Sequence, residues 1–419
     1  MVHQSAPLGL IISDTKNLSS VLENWKWGRM WDMKKTIGVV FGGRSVEHDV
    51  SIITAHNPII DSLLATKKYE VVPIYIAKDG SWYSDPKMND INFFRNDLDE
   101  KLNKFKKINI SINNGLEIII PETFGNKKIK IDLVFPAMHG TYGEDGSLMG
   151  LLRMAGVPFV GCDLFASAVA MDKILTKQVL IAEGVPIVPD VWFTKFDYEA
   201  NKEKYLSEIR TKLKYPLFVK PVHLGSSIGI GKVKDERELV NAIEVALHYD
   251  EKVLVEEGVQ NLIEVTLPIM GNDEPMLANV EKPLNKSEFF DYNDKYMSGG
   301  KKTGGGANSN YSEIPANIDP ELAKKVKEFG TKTYKTLGCS GIARVDFLIN
   351  SITYDVFVNE VNTLPGSLYQ HNWKKCGISN IDLVEKLVGF AEEKFEGGDN
   401  FITTFSSKIL DQYRGVKNQ

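Results

Sequence analysis

The hexapeptide "FVNEVN" (Phe357–Asn362) carries two oxygen ligands two positions apart, Glu360 and Asn362. Apolar Phe357, Val358 and Val361 read as a buried strand, and strand alternation puts Glu360 and Asn362 on one face. The preceding strand, "GIARVDFLIN", adds Asp346, with Arg344 on the same face. Buried carboxylates need a partner. One candidate is Mg2+ shared with substrate phosphates, which suits two carboxylates and an amide oxygen. The other is Arg344 itself, in a structural salt bridge. A Pro-Gly turn follows, and then "SLYQHNW", rich in amide, aromatic and histidine side chains.

A second stretch, "FVKPVHLGSSIGIGKV", is neither a P-loop nor a Rossmann fingerprint, because its glycines lie between two strands. Its backbone N–H groups suit phosphate oxygens. Lys220 supplies a cation, and Ser226 and Ser227 supply hydroxyls. An ordinary hairpin loop is the competing reading. "MHGTYGEDGS" carries His139, Glu144 and Asp145 in no zinc spacing, and "GGRSVEHDVS" carries Glu47 and His48 after a Gly-Gly turn. A turn and a helix start account for both equally well.

These residues need a scaffold. "TIGVVFGG", "YEVVPIYIAKDG" and "IDLVFPAMHG" read as strands of an open α/β sheet, with a helix over "VEHDVSIITAHNPIIDSLL". Ligands of such sheets gather at the carboxyl ends of strands, where Gly42-Gly43 and His139-Gly140 lie. "ASAVAMDKILTKQVLIAEG" reads as one helix with a glycine stop. The strands "YPLFVK", "IGIGKV" and "KVLVEEGV" then suit a smaller antiparallel α+β unit. The polar, Gly-rich segment 291–310 reads as a long functional loop.

Composition narrows the class. The chain has 419 residues, 43% hydrophobic and 25% charged, with a net charge of −5. That excludes a basic nucleic-acid binder and fits a soluble protein of several domains. Cys162, Cys339 and Cys376 stand far apart, so a disulfide framework or zinc site is not expected and a reduced, cytoplasmic setting is. No apolar stretch is long enough for a membrane span. "MKKTIGVVFGG" at Met33 reads like a protein start, so residues 1–32 are set apart as an extension of unclear origin.

Taken in order, "FGGRSVEHDVS", "HGTYGEDGSLMGLLRMAGVPFVG", "ASAVAMDK", "KPVHLGSSIGI", "DYNDKY", "ARVDF" and "NEVNTLPG" resemble the D-alanine–D-alanine ligase family of the ATP-grasp fold, over Lys35 to Lys386. The resemblance implies an N-terminal α/β domain (33–160), then central (161–255) and C-terminal (256–419) α+β domains clasping ATP. It implies that ATP phosphorylates one D-alanine and that the amine of a second attacks the acylphosphate. The product is a dipeptide for peptidoglycan precursors. Lys173 and Lys220 match phosphate cations, with Ser227 beside them. Glu256, Glu257 and Val259 match the adenine hinge, and Glu264 the ribose ligand. Asp346, Glu360 and Asn362 match the ligands of two Mg2+ (or Mn2+) ions. Glu47, Ser226 and Tyr296 match the set that anchors the first substrate and closes the site, with His139 lining its pocket. Lys295 matches the residue that reaches the transferred phosphate. Arg344 and the Gly366 N–H match the oxyanion donors. The Lys295-Tyr296 pair implies an amine acceptor over a hydroxy acid. A cytoplasmic homodimer is also implied.

One departure stands out. The family continues after Pro-Gly with a longer Ser/Thr-rich segment whose serine holds the acceptor carboxylate. Here the segment is shorter, and Ser367 comes early. His371, Gln370, Tyr369 or Lys374, or a backbone N–H, is expected in its place. The acceptor is therefore open: D-alanine, another D-amino acid, glycine or a different amine. A nucleotide-binding module without catalysis is the reading from another class.

Overall fold

β1 (Lys35–Gly42) is buried from Ile37 onward, and both its edges are paired. It lies parallel to β2 (Tyr69–Ile76) on one side and to β7 (Leu133–Pro136) on the other. The short β3 (Trp82–Tyr83) closes the β2 edge antiparallel, giving the order β3-β2-β1-β7. A separate antiparallel sheet is formed by β4 (Asn109–Ser111), β5 (Leu116–Pro121) and β6 (Asn126–Ile131). The computed structural model describes residues 34–113, 115–225, 227–284, 312–398, 402, 404–407 and 409–412. Ser226, Lys295 and Tyr296, the segment 291–310 and residues 1–32 therefore lie outside the described residues.

The helix expected after Gly43 is broken. Helix His48–Thr54 passes into a π-turn, Ala55–Ile60, and resumes at Asp61–Thr66. Pro58 cannot donate to the helical ladder, and Asn57 leaves the helical region at φ −118°, ψ 90°. A second expected helix is also two. Leu164–Met171 and Lys173–Ala182 meet at Asp172, whose Oδ1 accepts the N–H groups of Ile174 and Leu175 as an N-cap. That break leaves Lys173 at the start of a new helix.

The central sheet is fully antiparallel, in the order β10-β9-β11-β8: β8 (Asp190–Thr194), β9 (Leu217–Pro221), β10 (Gly231–Val233) and β11 (Lys252–Glu257). β9 and β10 are the two arms of the expected Gly/Ser hairpin. Helix Glu236–Tyr249 covers one face with Leu239, Ile243 and Ala246. The C-terminal sheet runs β13-β12-β16-β17, where β12 is Leu262–Gly271, β13 Met276–Leu277, β16 Gly341–Asn350 and β17 Val356–Asn362. β14 (Lys282–Pro283) pairs with β15 (Ser312–Glu313), so these two strands bracket residues 285–311. Among the described residues no helix is long and apolar enough to cross a membrane.

After Gly366 the chain does something its composition does not announce. Ser367, Leu368 and Tyr369 all take left-handed backbone, at φ 47°, 53° and 51°. L-residues avoid that region at about 1–2 kcal/mol each. Two buried anchors hold the turn. Leu368 and Trp373 are both fully inaccessible and pack in the core shared with Ile59, Leu63 and Leu387. Ser367→Gly should relieve strain at one of the three positions and raise stability by up to about 1 kcal/mol, read from urea unfolding. Loss of stability would mean that Ser367 gains more from its contacts than its backbone costs.

Candidate active site

Residues from three parts of the chain line one cleft. The N-terminal unit contributes Glu47, His139, Gly140 and Glu144. The central unit contributes Lys173, Leu224 and Gly225. The C-terminal sheet contributes Arg344, Glu360 and Asn362, and the turn after it contributes Gly366. Residues far apart in sequence but matched in the sequence reading thus line one wall.

The cationic end is built on β9 and β11. Lys173 Nζ donates to the carbonyls of Leu224 (2.7 Å) and Val222 (3.3 Å), which ties its helix to the root of the Gly/Ser loop. Burial lowers its pKa, with Glu360 opposing. Lys220 pairs with Glu256 and also donates to Asn359 Oδ1 at 3.2 Å. Burial works against the Lys220 charge, but Glu256, Glu360 and Glu264 outweigh it and raise the pKa. Glu256 is shared: its other oxygen meets Lys177 at 2.6 Å, and Lys177 also reaches Asp190 at 3.2 Å. Burial alone would raise the Glu256 carboxyl, but the two lysines hold it down at about 2.

The sequence reading missed Lys177, Asp190 and Asn359. A lysine inside a helix reads as a solvated face, and only the fold reveals it as buried. Asn359 is placed by a β-bulge. Asp346 pairs with Glu360 and the next residue, Phe347, pairs with Val358, leaving Asn359 as the extra residue. Glu257 Oε2 accepts the Lys214 N–H at 3.0 Å. Glu257 ends β11, Val259 follows it, and Glu264 lies early in β12; none of them lines the cleft described above.

At the carboxylate end, Arg344 grips Asp346 with both arms of its guanidinium. Nε donates to Oδ1 at 2.6 Å, and Nη2 engages Oδ2. The Asn362 amide donates to Asp346 Oδ2 at 3.1 Å. The Arg344 guanidinium also lies 5.0 Å from the centroid of the Tyr369 ring. The salt bridge entertained from sequence is therefore present, and it occupies the carboxylate also expected to hold metal. The donor set still fits a divalent ion. Asp346 and Glu360 face each other across β16 and β17, and Asn362 is next to them on the same face. Among the described residues no group of three or more His, Cys, Asp or Glu gathers as a metal cage.

The third corner holds Glu47 and His139. Glu47 is almost fully buried. Gly140 has φ 67°, and a Cβ there would come within 2.8 Å of Glu47 Oε2 and 2.6 Å of Ser45 Oγ, so only glycine permits this approach. Gly225, from the central unit, faces the same carboxylate. His139 Nε2 is 2.8 Å from Thr54 Oγ1, and its Nδ1 is 3.7 Å from Glu144. Glu144 in turn accepts the Gly140 N–H at 2.7 Å. Thr54 Oγ1 also accepts the Ser367 N–H at 3.1 Å, which joins this corner to the turn after Gly366. Ser227, beside Gly225, takes left-handed backbone at φ 58°.

His371 is half exposed, and its Nε2 meets both oxygens of buried Glu281 at 2.9 Å. Asn372 Nδ2 donates to the same carboxylate at 3.0 Å. The His371 ring packs 4.9 Å from Tyr369, so it stands one aromatic ring away from Arg344. Glu281 was not foreseen, because its partners lie far along the chain.

A parallel sheet followed by two antiparallel sheets that close over lysines and carboxylates is the ATP-grasp arrangement. The model of the D-ala D-ala ligase N-terminus matches residues 36–162, and that of the D-ala D-ala ligase C-terminus matches 179–389. The chain belongs to the D-alanine–D-alanine ligase family. It is 37% identical over 375 residues to the D-alanine–D-alanine ligase of Thermosipho melanesiensis, covering 89% of this chain and 98% of the relative. It is 41% identical over 366 residues to D-alanine–D-alanine ligase B of Clostridium tetani, covering 86% and 94%. Among solved structures, a D-Ala:D-Ser ligase from Enterococcus faecalis matches with a TM-score of 0.69 at 34% identity, covering 86% of this chain and all of that one. The D-alanine–D-alanine ligase from Coxiella burnetii matches at 0.71 and 28% identity, covering 91% and 98%.

Proposed function

We propose that this enzyme joins two D-alanines at the expense of ATP, giving D-alanyl-D-alanine, ADP and phosphate for peptidoglycan precursors. The observation that carries this reading is the convergence of Glu47, Lys173, Arg344 and Glu360, from three parts of the chain, on one cleft. Phosphoryl transfer asks a protein for positioning and charge neutralisation more than for covalent help. Lys173 and Lys220 hold the phosphates, with the N–H groups around Gly225 and Ser227. Asp346, Glu360 and Asn362 would hold two Mg2+ (or Mn2+) ions, which neutralise phosphate charge when bound. Glu257 and Val259 flank the adenine and Glu264 the ribose, while Glu256 serves through its two lysines.

Glu47 binds the ammonium of the first D-alanine, with His139 against its side chain. The carboxylate of that D-alanine takes the γ-phosphoryl group and becomes an acylphosphate. The amine of the second D-alanine then attacks the acyl carbon, loses a proton, and displaces phosphate. Arg344 and the Gly366 N–H stabilise the oxyanion formed on the way. Arg344 must loosen from Asp346 to do so, and a divalent ion held by Asp346 would supply the positive charge that Arg344 withdraws. Ser226, Lys295 and Tyr296 keep their proposed parts in closing the site over the labile acylphosphate. The 161–255 and 256–419 units are proposed as the two clasping domains, and a cytoplasmic homodimer as the working form, to be checked by fractionation and light scattering.

The test is phosphate release from Mg-ATP with D-alanine alone, with the product mass determined. Release with a D-alanyl-D-alanine mass supports the reading, and no release at all rejects it. A second reading keeps the mechanism and changes the acceptor. It is favoured by the His371–Glu281 pair where the family has a serine, and by similarity to a solved D-Ala:D-Ser ligase. D-serine and glycine belong in the same assay. In either case His371→Ala should raise KM for the acceptor roughly tenfold while leaving acylphosphate formation on the first D-alanine intact, as loss of one charge-assisted contact does. Equal effects on both substrates would remove His371 from the acceptor side.

A further inference from the structure

One side chain of the Gly/Ser loop has no part in the mechanism above. His223 lies between Pro221, the last residue of β9, and Leu224, whose carbonyl receives Lys173. Its Nδ1 is 3.0 and 3.1 Å from the two oxygens of Asp250, and its Nε2 is 3.2 Å from Asp172 Oδ2. Its backbone N–H donates to Asp250 Oδ2 at 2.6 Å. Both carboxylates are about 5% exposed. Asp172 is the N-cap of the helix that begins with Lys173, and Asp250 follows the helix Glu236–Tyr249. Among the described residues, Lys252 of β11 joins the cluster, with Nζ 2.8 Å from Asp172 Oδ2 and its N–H 3.1 Å from Asp250 Oδ1, and the Lys173 charge also acts on Asp250.

Both ring nitrogens face carboxylate oxygens. A neutral imidazole has one N–H, so one nitrogen lone pair would oppose an anionic oxygen. Only the imidazolium, with two N–H groups, satisfies both sides. Its loop is also bound to the Lys173 ammonium through Val222 and Leu224, so a single knot ties the loop root, the Lys173 helix and β11 together.

We propose that His223 is a positioning residue for ATP: as an imidazolium it pins the root of the Gly/Ser loop to the N-cap of the Lys173 helix. Lys173 and the loop N–H groups then meet the phosphates as one preorganised unit. This rests on the ligase reading for the phosphates' place in the cleft. The bonds to Asp172 and Asp250 also raise the His223 pKa to about 9, with burial opposing, so the knot holds at neutral pH and loosens in alkali.

The test uses the full-length enzyme and His223→Gln, which keeps an amide donor and loses the charge. Mg-ATP affinity is measured directly by calorimetry from pH 7 to 10, alongside KM for D-alanine at saturating ATP. The expected result is roughly tenfold weaker Mg-ATP binding at pH 7.5 with KM for D-alanine changed less than about twofold, as loss of a charged hydrogen bond predicts. Wild-type affinity should fall as pH passes about 9, and the variant should lack that step. Unchanged affinity with the alkaline step retained would assign the step to Lys173 and overturn the proposal. Should the variant fail to fold, NMR titration of the wild-type imidazole decides: protonation kept above pH 8 supports the proposal, and titration near 6.5 overturns it. A wild type that binds Mg-ATP but makes no dipeptide defeats the ligase reading alone, because binding is read without turnover.

Discussion

Arg344→Ala should cut dipeptide formation by about 10²–10³-fold, the usual effect of removing one oxyanion donor. It should also destabilise the ligand-free enzyme. The guanidinium fork is the cation that Asp346 faces, and both side chains are largely buried, at 13% and 15% exposure. Truncation takes the guanidinium from a carboxylate that keeps the Asn362 amide among its partners, and breaking a buried pair from one side costs about 3–5 kcal/mol. The two losses respond differently to Mg-ATP. On the proposed metal site, a divalent ion at Asp346 would replace the missing positive charge, so Mg-ATP should recover part of the stability and none of the rate. Urea unfolding with and without Mg-ATP, beside single-turnover rates, reads both. Arg344→Lys keeps the charge but loses the fork, and should fall between. Wild-type turnover in Arg344→Ala would end its part in the chemistry, and equal stabilisation of both proteins by Mg-ATP would end the shared role of Asp346.

How much of this was legible in the sequence follows from the range of the forces involved. Strand alternation is local, so Glu360 and Asn362 could be put on one face, with Asp346 and Arg344 on the neighbouring strand. The Gly/Ser hairpin was equally plain, because glycines between two apolar runs leave little else. The breaks were not. Asp172 ends one helix by capping the next, and its apolar neighbours continue the helical pattern across it. Asn359 enters the site through a bulge set by the partner strand, which no local pattern encodes. No local pattern marks Lys177 or Glu281 as buried; residues distant along the chain bury them. The left-handed run Ser367–Tyr369 has no glycine to announce it; Leu368 and Trp373 impose it from the core. Ser226, Lys295 and Tyr296 rest on motif resemblance alone.

Glu256→Gln should be the costliest change in the central unit. Glu256 lies between Lys177 and Lys220, and all three side chains are almost wholly buried. Lys177 keeps Asp190 and the Val188 carbonyl, whereas Lys220 keeps the Asn359 amide oxygen and the more distant Glu264 and Glu360. The carboxyl is held at about 2 against an ordinary 4.5, a difference worth about 3 kcal/mol. The depressed pKa fixes the sign. This stability is fully present above pH 4.5 and is lost as pH falls toward 2. Glu256→Gln should therefore unfold about 3–5 kcal/mol more easily at pH 7, and its stability should fall less steeply than wild type between pH 4.5 and 2. Urea titrations across that window decide it, and parallel curves would show that the triad is not coupled to folding. A further consequence falls on function. Without Glu256, burial dominates at Lys220 and lowers its pKa, so Mg-ATP binding by the variant should weaken as pH rises, over a range where the wild-type lysine is still charged. Binding with wild-type pH dependence would mean that Glu264 and Glu360 suffice to keep Lys220 protonated.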